Sequence, residues 1–130
     1  MRKVVIDTNI IISAALSPKE NPAKIMNLFF DGEIQIYYCM KILNEYKSVL
    51  SREKLNITDH IQENIIVSIG DAGVLINPVT SDAPLPDESD RIFYDTAKES
   101  KAILVTGNIR HYPVENSIMT PTQFLALRHL

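Results

Sequence analysis

One cysteine, Cys39, occurs in the 130 residues. That excludes an intramolecular disulfide and any cysteine-rich zinc site. A lone thiol is most often a small apolar core residue, as expected in a reducing cytoplasm. No stretch approaches the roughly 20 apolar residues that a membrane-spanning helix needs. The start, MRKVVIDTNIIISAALS, has the charge and apolar run of a secretion signal, but Asp7 and Asn9 interrupt the run. Excess positive charge is missing too: 13 Lys and Arg stand against 16 Asp and Glu, a formal charge of −3. That argues against a surface that coats nucleic acid. It leaves room for a polyanion whose approach depends on bound divalent cations. There is no repeat, linker or low-complexity segment. Apolar residues make up 45% and charged residues 22%, so the expectation is one globular domain over residues 1–130, cytoplasmic and not membrane-bound.

Hydrophobic periodicity supplies the order of elements. Lys3 to Ile6 read as a short buried strand, followed by a turn at Asp7-Thr8-Asn9 and a helix from Ile10 to Leu16. Asn21-Pro22 reads as cap and first position of a helix that stops at Asp31-Gly32. A strand over Ile34–Tyr38 precedes a helix over Lys41–Leu50. A further helix over Thr58–Ile69 turns Ile61, Ile65, Ile66 and Ile69 inward and ends near Gly70. Strands are expected at Val74–Ile76, Ala102–Val105 and Ser117–Met119. Asp87 or Ser89 caps a helix running to about Ser100, and Thr120-Pro121 opens the last one. This alternation predicts a three-layer α/β/α fold around a parallel, Rossmann-like sheet of about five strands. Ligands of such sheets bind beyond the carboxyl ends of the strands. If the first and fourth strands are neighbours, Asp7 and Asn108 overhang one crevice.

Three acids stand where plain solvation does not explain them. Asp7 ends a buried strand, where an unpaired carboxylate costs several kcal/mol. It reads either as a cap of the following helix or as a site residue. Glu45 lies three residues after Ile42 and four before Val49, on or beside the buried stripe. Its carboxylate either reaches water past its own methylenes or aims into the crevice. Asp90 precedes the inward Phe93 and Ala97, and a first-turn acid that complements the helix dipole explains it equally well. Asp95 lies roughly 140° further around the helix and is not expected at the same point. Thr8, Asn9, Thr106 and Asn108 are neutral groups able to orient carboxylates. Clustered acids without a base repel one another. Mg²⁺ or Mn²⁺, which favours oxygen donors, would relieve that repulsion and serve phosphodiester hydrolysis.

The segments VVIDTNIIISA, ILNEY and DESDRIFYDTAKESKAILVTGN, in that order and spacing, resemble the PIN-domain family. The likeness is to VapC-like ribonucleases, the toxins of prokaryotic toxin–antitoxin pairs, and it runs from Val4 to Pro113. It implies a Mg²⁺- or Mn²⁺-dependent endoribonuclease. The family's acids fall on Asp7, Glu45 and Asp90, and its fourth position, often Asp, falls here on Asn108. That departure removes a charge and puts a second metal, or direct contact with a metal, in question. Thr8 and Thr106 fall on supporting hydroxyl positions. The resemblance further implies an RNA substrate, a homodimer and a small antitoxin that occludes the site.

Arg110 and His111, with Tyr112 and Pro113 after them, read either as a polar loop or as a cation and an aromatic beside RNA. His60 and His129 read as surface residues. Two other readings compete. An aspartate-nucleophile phosphatase would attack through Asp7, but Asn9 stands where such enzymes carry their acid/base. A non-catalytic binding module is favoured by Asn108.

Overall fold

The computed structural model describes residues 1–127. Strand β1 (Arg2–Ile6) leads into helix α1 (Thr8–Leu16), followed by α2 (Asn21–Phe30), β2 (Ile34–Tyr38), α3 (Met40–Leu50) and α4 (Asp59–Ala72). Then come β3 (Val74–Leu75), α5 (Arg91–Ser100), β4 (Ile103–Val105), β5 (Ile118–Met119) and α6 (Pro121–Leu125). Short 3-10 turns occupy Glu53–Leu55, Glu88–Asp90 and Ile109–His111.

The five strands form one parallel sheet in the order β3-β2-β1-β4-β5, with helices packed around it in three α/β/α layers. β1 lies at the centre because its run is apolar on both faces; Val4, Val5 and Ile6 are wholly buried. Val4 pairs with Ile36 on one side and with Ile103 on the other. The chain builds outward from β1 through β2 to β3, then crosses over to β4 and β5. The reversal of strand order therefore falls between β1 and β4, where a crevice must open. α5 packs across β1, β2 and β4, and its Phe93 ring stands 6.4 Å from that of Tyr46 on α3. The Tyr46 hydroxyl donates to the Ile6 carbonyl, pinning the last residue of β1 from inside the core.

Several boundaries differ from the sequence expectation. α1 begins at Thr8, two residues early, so Asp7 occupies the cap position. Glu20 precedes α2, and Asn21 lies inside the helix, where its side-chain amide donates to Thr122 Oγ1 at 3.1 Å and ties α2 to α6. α4 runs through Gly70 to Ala72, because one helical glycine costs only about 1 kcal/mol. Ile61 is 40% exposed rather than inward, and Ile66 is half-buried. Gly73 follows as the cap, at a position where only glycine fits. A Cβ there would sit 2.5 Å from the Ile69 carbonyl oxygen and 3.0 Å from the Tyr38 ring. Cys39 is buried in the core and His60 is exposed; His129 lies outside the described residues. Among the described residues, no helix is long and apolar enough to cross a membrane.

Candidate functional site

The ladder between β1 and β4 continues one step past the strands. The Asp7 N–H donates to the Val105 carbonyl at 3.0 Å, and the Thr106 N–H donates to the Met119 carbonyl at 3.0 Å. Asp7 and Thr106 are thereby fixed side by side at the carboxyl ends of neighbouring strands. Asp7 has the extended backbone of a helix cap, yet its side chain makes no capping bond. Its carboxylate turns toward β4 instead. Oδ2 accepts from the Thr106 hydroxyl at 2.7 Å and from the Tyr112 hydroxyl at 3.1 Å. Asp7 is buried, so these two donors replace the water that the oxygen loses.

The same crevice is lined by Asp7, Thr8, Asn9, Glu45, Arg52 and Asn108, among others. Glu45 is half-buried, and its carboxylate accepts the Thr8 hydroxyl across from α1. Asn9 Oδ1 accepts from the Gly107 N–H at 3.3 Å, bracing the α1 start against the β4 turn. The Asn108 N–H donates to Thr106 Oγ1 at 2.9 Å, so Asp7, Thr106 and Asn108 form one hydrogen-bonded chain. The charge concentrated here is felt by the phenol of Tyr46. Its pKa is pushed well above the ordinary range by burial first, then by Asp7 and by Glu45.

Asp90 stands outside that lining. It ends the Glu88–Asp90 turn, which Asp87 caps by accepting from the Ser89 N–H and hydroxyl, both at 2.9 Å. Asp90 itself makes no capping bond. Burial raises its pKa, the Asp7 charge raises it further, and His111 partly opposes both. His111 Nδ1 is 3.2 Å from Asp90 Oδ2 as an ion pair, but the two lack the alignment of a hydrogen bond, and this buried oxygen has no aligned donor. Tyr112 joins the two acids. Its pKa is driven up by burial, then by Asp7 and Asp90 together.

Asp95 is also buried, but it serves the loop before Asp90. Its Oδ2 accepts from the Ser81 N–H at 3.0 Å. Arg91 Nη1 donates to the Ser81 carbonyl at 3.0 Å and to its hydroxyl at 3.2 Å, while Nη2 pairs with Glu88 at 2.6 Å.

Asp7, Glu45 and Asn108 thus meet at one crevice, with Asp90 outside its lining but within reach of the Asp7 charge. Among the described residues, no three Asp, Glu, His or Cys side chains come together closely enough to hold an ion. Two observations nonetheless fit a hard divalent cation. The donors on offer are all oxygens, and a buried carboxylate oxygen beside a second acid has no proton donor aligned to it. Tyr112 is only 4% exposed with its hydroxyl committed to Asp7, so it cannot be the stacking platform for a base that the sequence suggested. Arg110 lines a different hollow, with Ile109 and Val114. Sequence reasoning missed the role of Tyr112 as a donor to Asp7, and missed Arg52 altogether. Tyr112 carried one signal, a hydroxyl-bearing aromatic just after the Asn108 turn. Arg52 carried one as well, since it lies seven positions after Glu45 on the stripe that includes Ser48 and Val49, just past the end of α3.

A family model described as PIN domain matches residues 3–110. The uncharacterized protein MJ1680 of Methanocaldococcus jannaschii is 40% identical over 110 residues, covering 82% of this chain and 70% of that protein. Tyr112, β5 and α6 lie beyond the segment matched by the family model.

Proposed function

The chain belongs to the PIN-domain family, whose members are typically nucleases that use divalent metal ions, and on that premise we propose a Mg²⁺- or Mn²⁺-dependent endoribonuclease. Asp7, Glu45 and Asp90, with Asn108 directly or through water, would hold the cation. The observation that carries this reading is the burial of Asp90 within reach of the Asp7 charge, with one of its oxygens aligned to no hydrogen-bond donor and offset only by the His111 ring. Two buried acids that raise each other's cost are stabilised when a cation lies between them. When bound, a divalent cation supplies Lewis acidity for in-line hydrolysis of a phosphodiester.

The chain's own residues supply orientation. Thr106 and Tyr112 both load Oδ2 of Asp7, leaving Oδ1 as its free atom. Thr8 fixes the rotamer of Glu45, and Asn9 holds the crevice walls together. His111 stands beside Asp90 and, with Arg110, is offered to the RNA backbone. In the cell, the reading is of a cytoplasmic homodimeric toxin, paired with a small antitoxin that covers this crevice. One observation favours the second reading, a binding module without catalysis: Asn108 and the open spacing of the acids leave the donor set sparse.

Purified protein should cut single-stranded RNA with Mn²⁺ or Mg²⁺ and stop with EDTA. Asp7→Asn and Asp90→Asn should each lose cleavage by at least about a hundredfold while keeping a cooperative melt. Undiminished cleavage by Asp7→Asn removes the assigned site. RNA binding without any cleavage favours the second reading.

A further inference from the structure

The crevice that holds two carboxylates also holds a cation that the fold does not use. Arg52 follows α3 by two positions and opens the Glu53–Leu55 turn. Its backbone is fixed on both sides: its N–H donates to Val49 at 3.2 Å, and its carbonyl accepts from Leu55 at 3.1 Å. Its side chain lines the crevice with Asp7, Glu45 and Asn108 and is exposed. Among the described residues, no ion pair or hydrogen bond engages its guanidinium.

An arginine kept for stability so close to two acids would pair with one of them. Here the acids are served by neutral donors instead, Glu45 by Thr8 and Asp7 by Thr106 and Tyr112. Two other cations are paired, Arg91 with Glu88 and Lys98 with Glu115, and neither of those acids lines this crevice. The unspent guanidinium is a planar fork of donors matched to the oxygens of a phosphate. The chain as a whole carries a net charge of −3 and offers little general attraction to a polyanion. A local cation is what would bring a phosphate past Asp7 and Glu45.

We propose that Arg52 is a substrate-binding residue that holds a backbone phosphate of single-stranded RNA next to the linkage lying over Asp7. This rests on the nuclease reading and adds a residue to it. The test measures binding of a short fluorescein-labelled single-stranded RNA by anisotropy across a salt series. It uses Asp7→Asn protein, so that cleavage does not intervene, and compares it with Asp7→Asn carrying Arg52→Gln or Arg52→Lys. Arg52→Gln should weaken binding about five- to tenfold at low salt and lower the slope of log affinity against log salt by about 0.7, the signature of one lost single-strand phosphate contact. Arg52→Lys should retain the slope, because the charge remains. A merely structural role would weaken binding without changing the slope, and that result overturns the proposal. So does equal binding by Arg52→Gln and its parent while wild-type protein cuts RNA, which leaves the nuclease reading standing. If the parent binds no RNA and wild-type protein cuts none with Mn²⁺, both readings fall together.

Discussion

Replacing Tyr112 by phenylalanine removes one oxygen from a buried ring and little else. That oxygen donates to Asp7 Oδ2 at 3.1 Å, and the ring is 4% exposed, so the phenyl group has the same space to fill. A hydrogen bond to a charged acceptor contributes about 1.5–3 kcal/mol. Two features put this one at the lower end. Its length exceeds the roughly 2.5–2.7 Å of strong O–H···O⁻ bonds, and Thr106 at 2.7 Å still serves the same oxygen. The expected loss is about 1.5 kcal/mol, a fall in melting temperature of about 5 °C. Urea unfolding of metal-free protein at neutral pH, followed by circular dichroism, measures it. A double-mutant cycle with Asp7→Asn then tests the cause. If the hydroxyl acts through the carboxylate, most of the cost should disappear in the Asp7→Asn background, a coupling of about 1 kcal/mol. Loss of an outer orienting group should also weaken Mn²⁺ binding about 10- to 100-fold by calorimetry. A Tyr112→Phe protein as stable as its parent would refute the reasoning, as would a full cost persisting when Asp7→Asn is already present.

Two glycines at the end of α4 should respond with opposite signs. Gly73→Ala forces a Cβ to 2.5 Å from the Ile69 carbonyl oxygen and should cost about 2–3 kcal/mol in urea unfolding, whereas Gly70→Ala meets nothing within 4 Å and should gain about 0.5–1 kcal/mol. Glu115 has its pKa lowered by hydrogen bonds from Lys98 first and Tyr94 second. A lowered carboxyl pKa stabilises the fold above the unfolded value of about 4.5 and ceases to do so as pH falls through the folded value. Glu115→Gln should therefore melt a few degrees lower at pH 7 and match wild type in acid; an equal gap at both pH values would contradict the assignment.

Much of the fold was legible because the strands announce themselves. Val4 to Ile6 is a β-branched run, Ile34 to Tyr38 is β-branched and aromatic but for Gln35, and both are too short for a helix; the neighbouring position of β1 and β4 was the condition under which Asp7 and Asn108 would share a crevice. The three 3-10 turns were not legible, because three residues leave no periodicity to detect. Asn21 misled because its side chain has the chemistry of a cap, while its actual bond, to Thr122, spans 101 positions. Ile61 misled because helical spacing gives a face but not what covers it. At the site, the unusual setting of Asp7 was visible in the residues around it. Of the partners of its carboxylate, Thr106 was named among the supporting hydroxyls, whereas Tyr112, 105 positions away, was not.

Ser81 behaves as a peg driven into α5: its amide, carbonyl and hydroxyl are all gripped by Asp95 and Arg91. The connection from β3 to Asp90 is thus divided into two spans with separate mechanical roles. Slack or extra length ahead of the peg is taken up in open solvent around Val79 and Thr80. The span behind it is held at both ends, by the peg and by the Asp87 cap, so a change of length there bears on the backbone that carries Asp90.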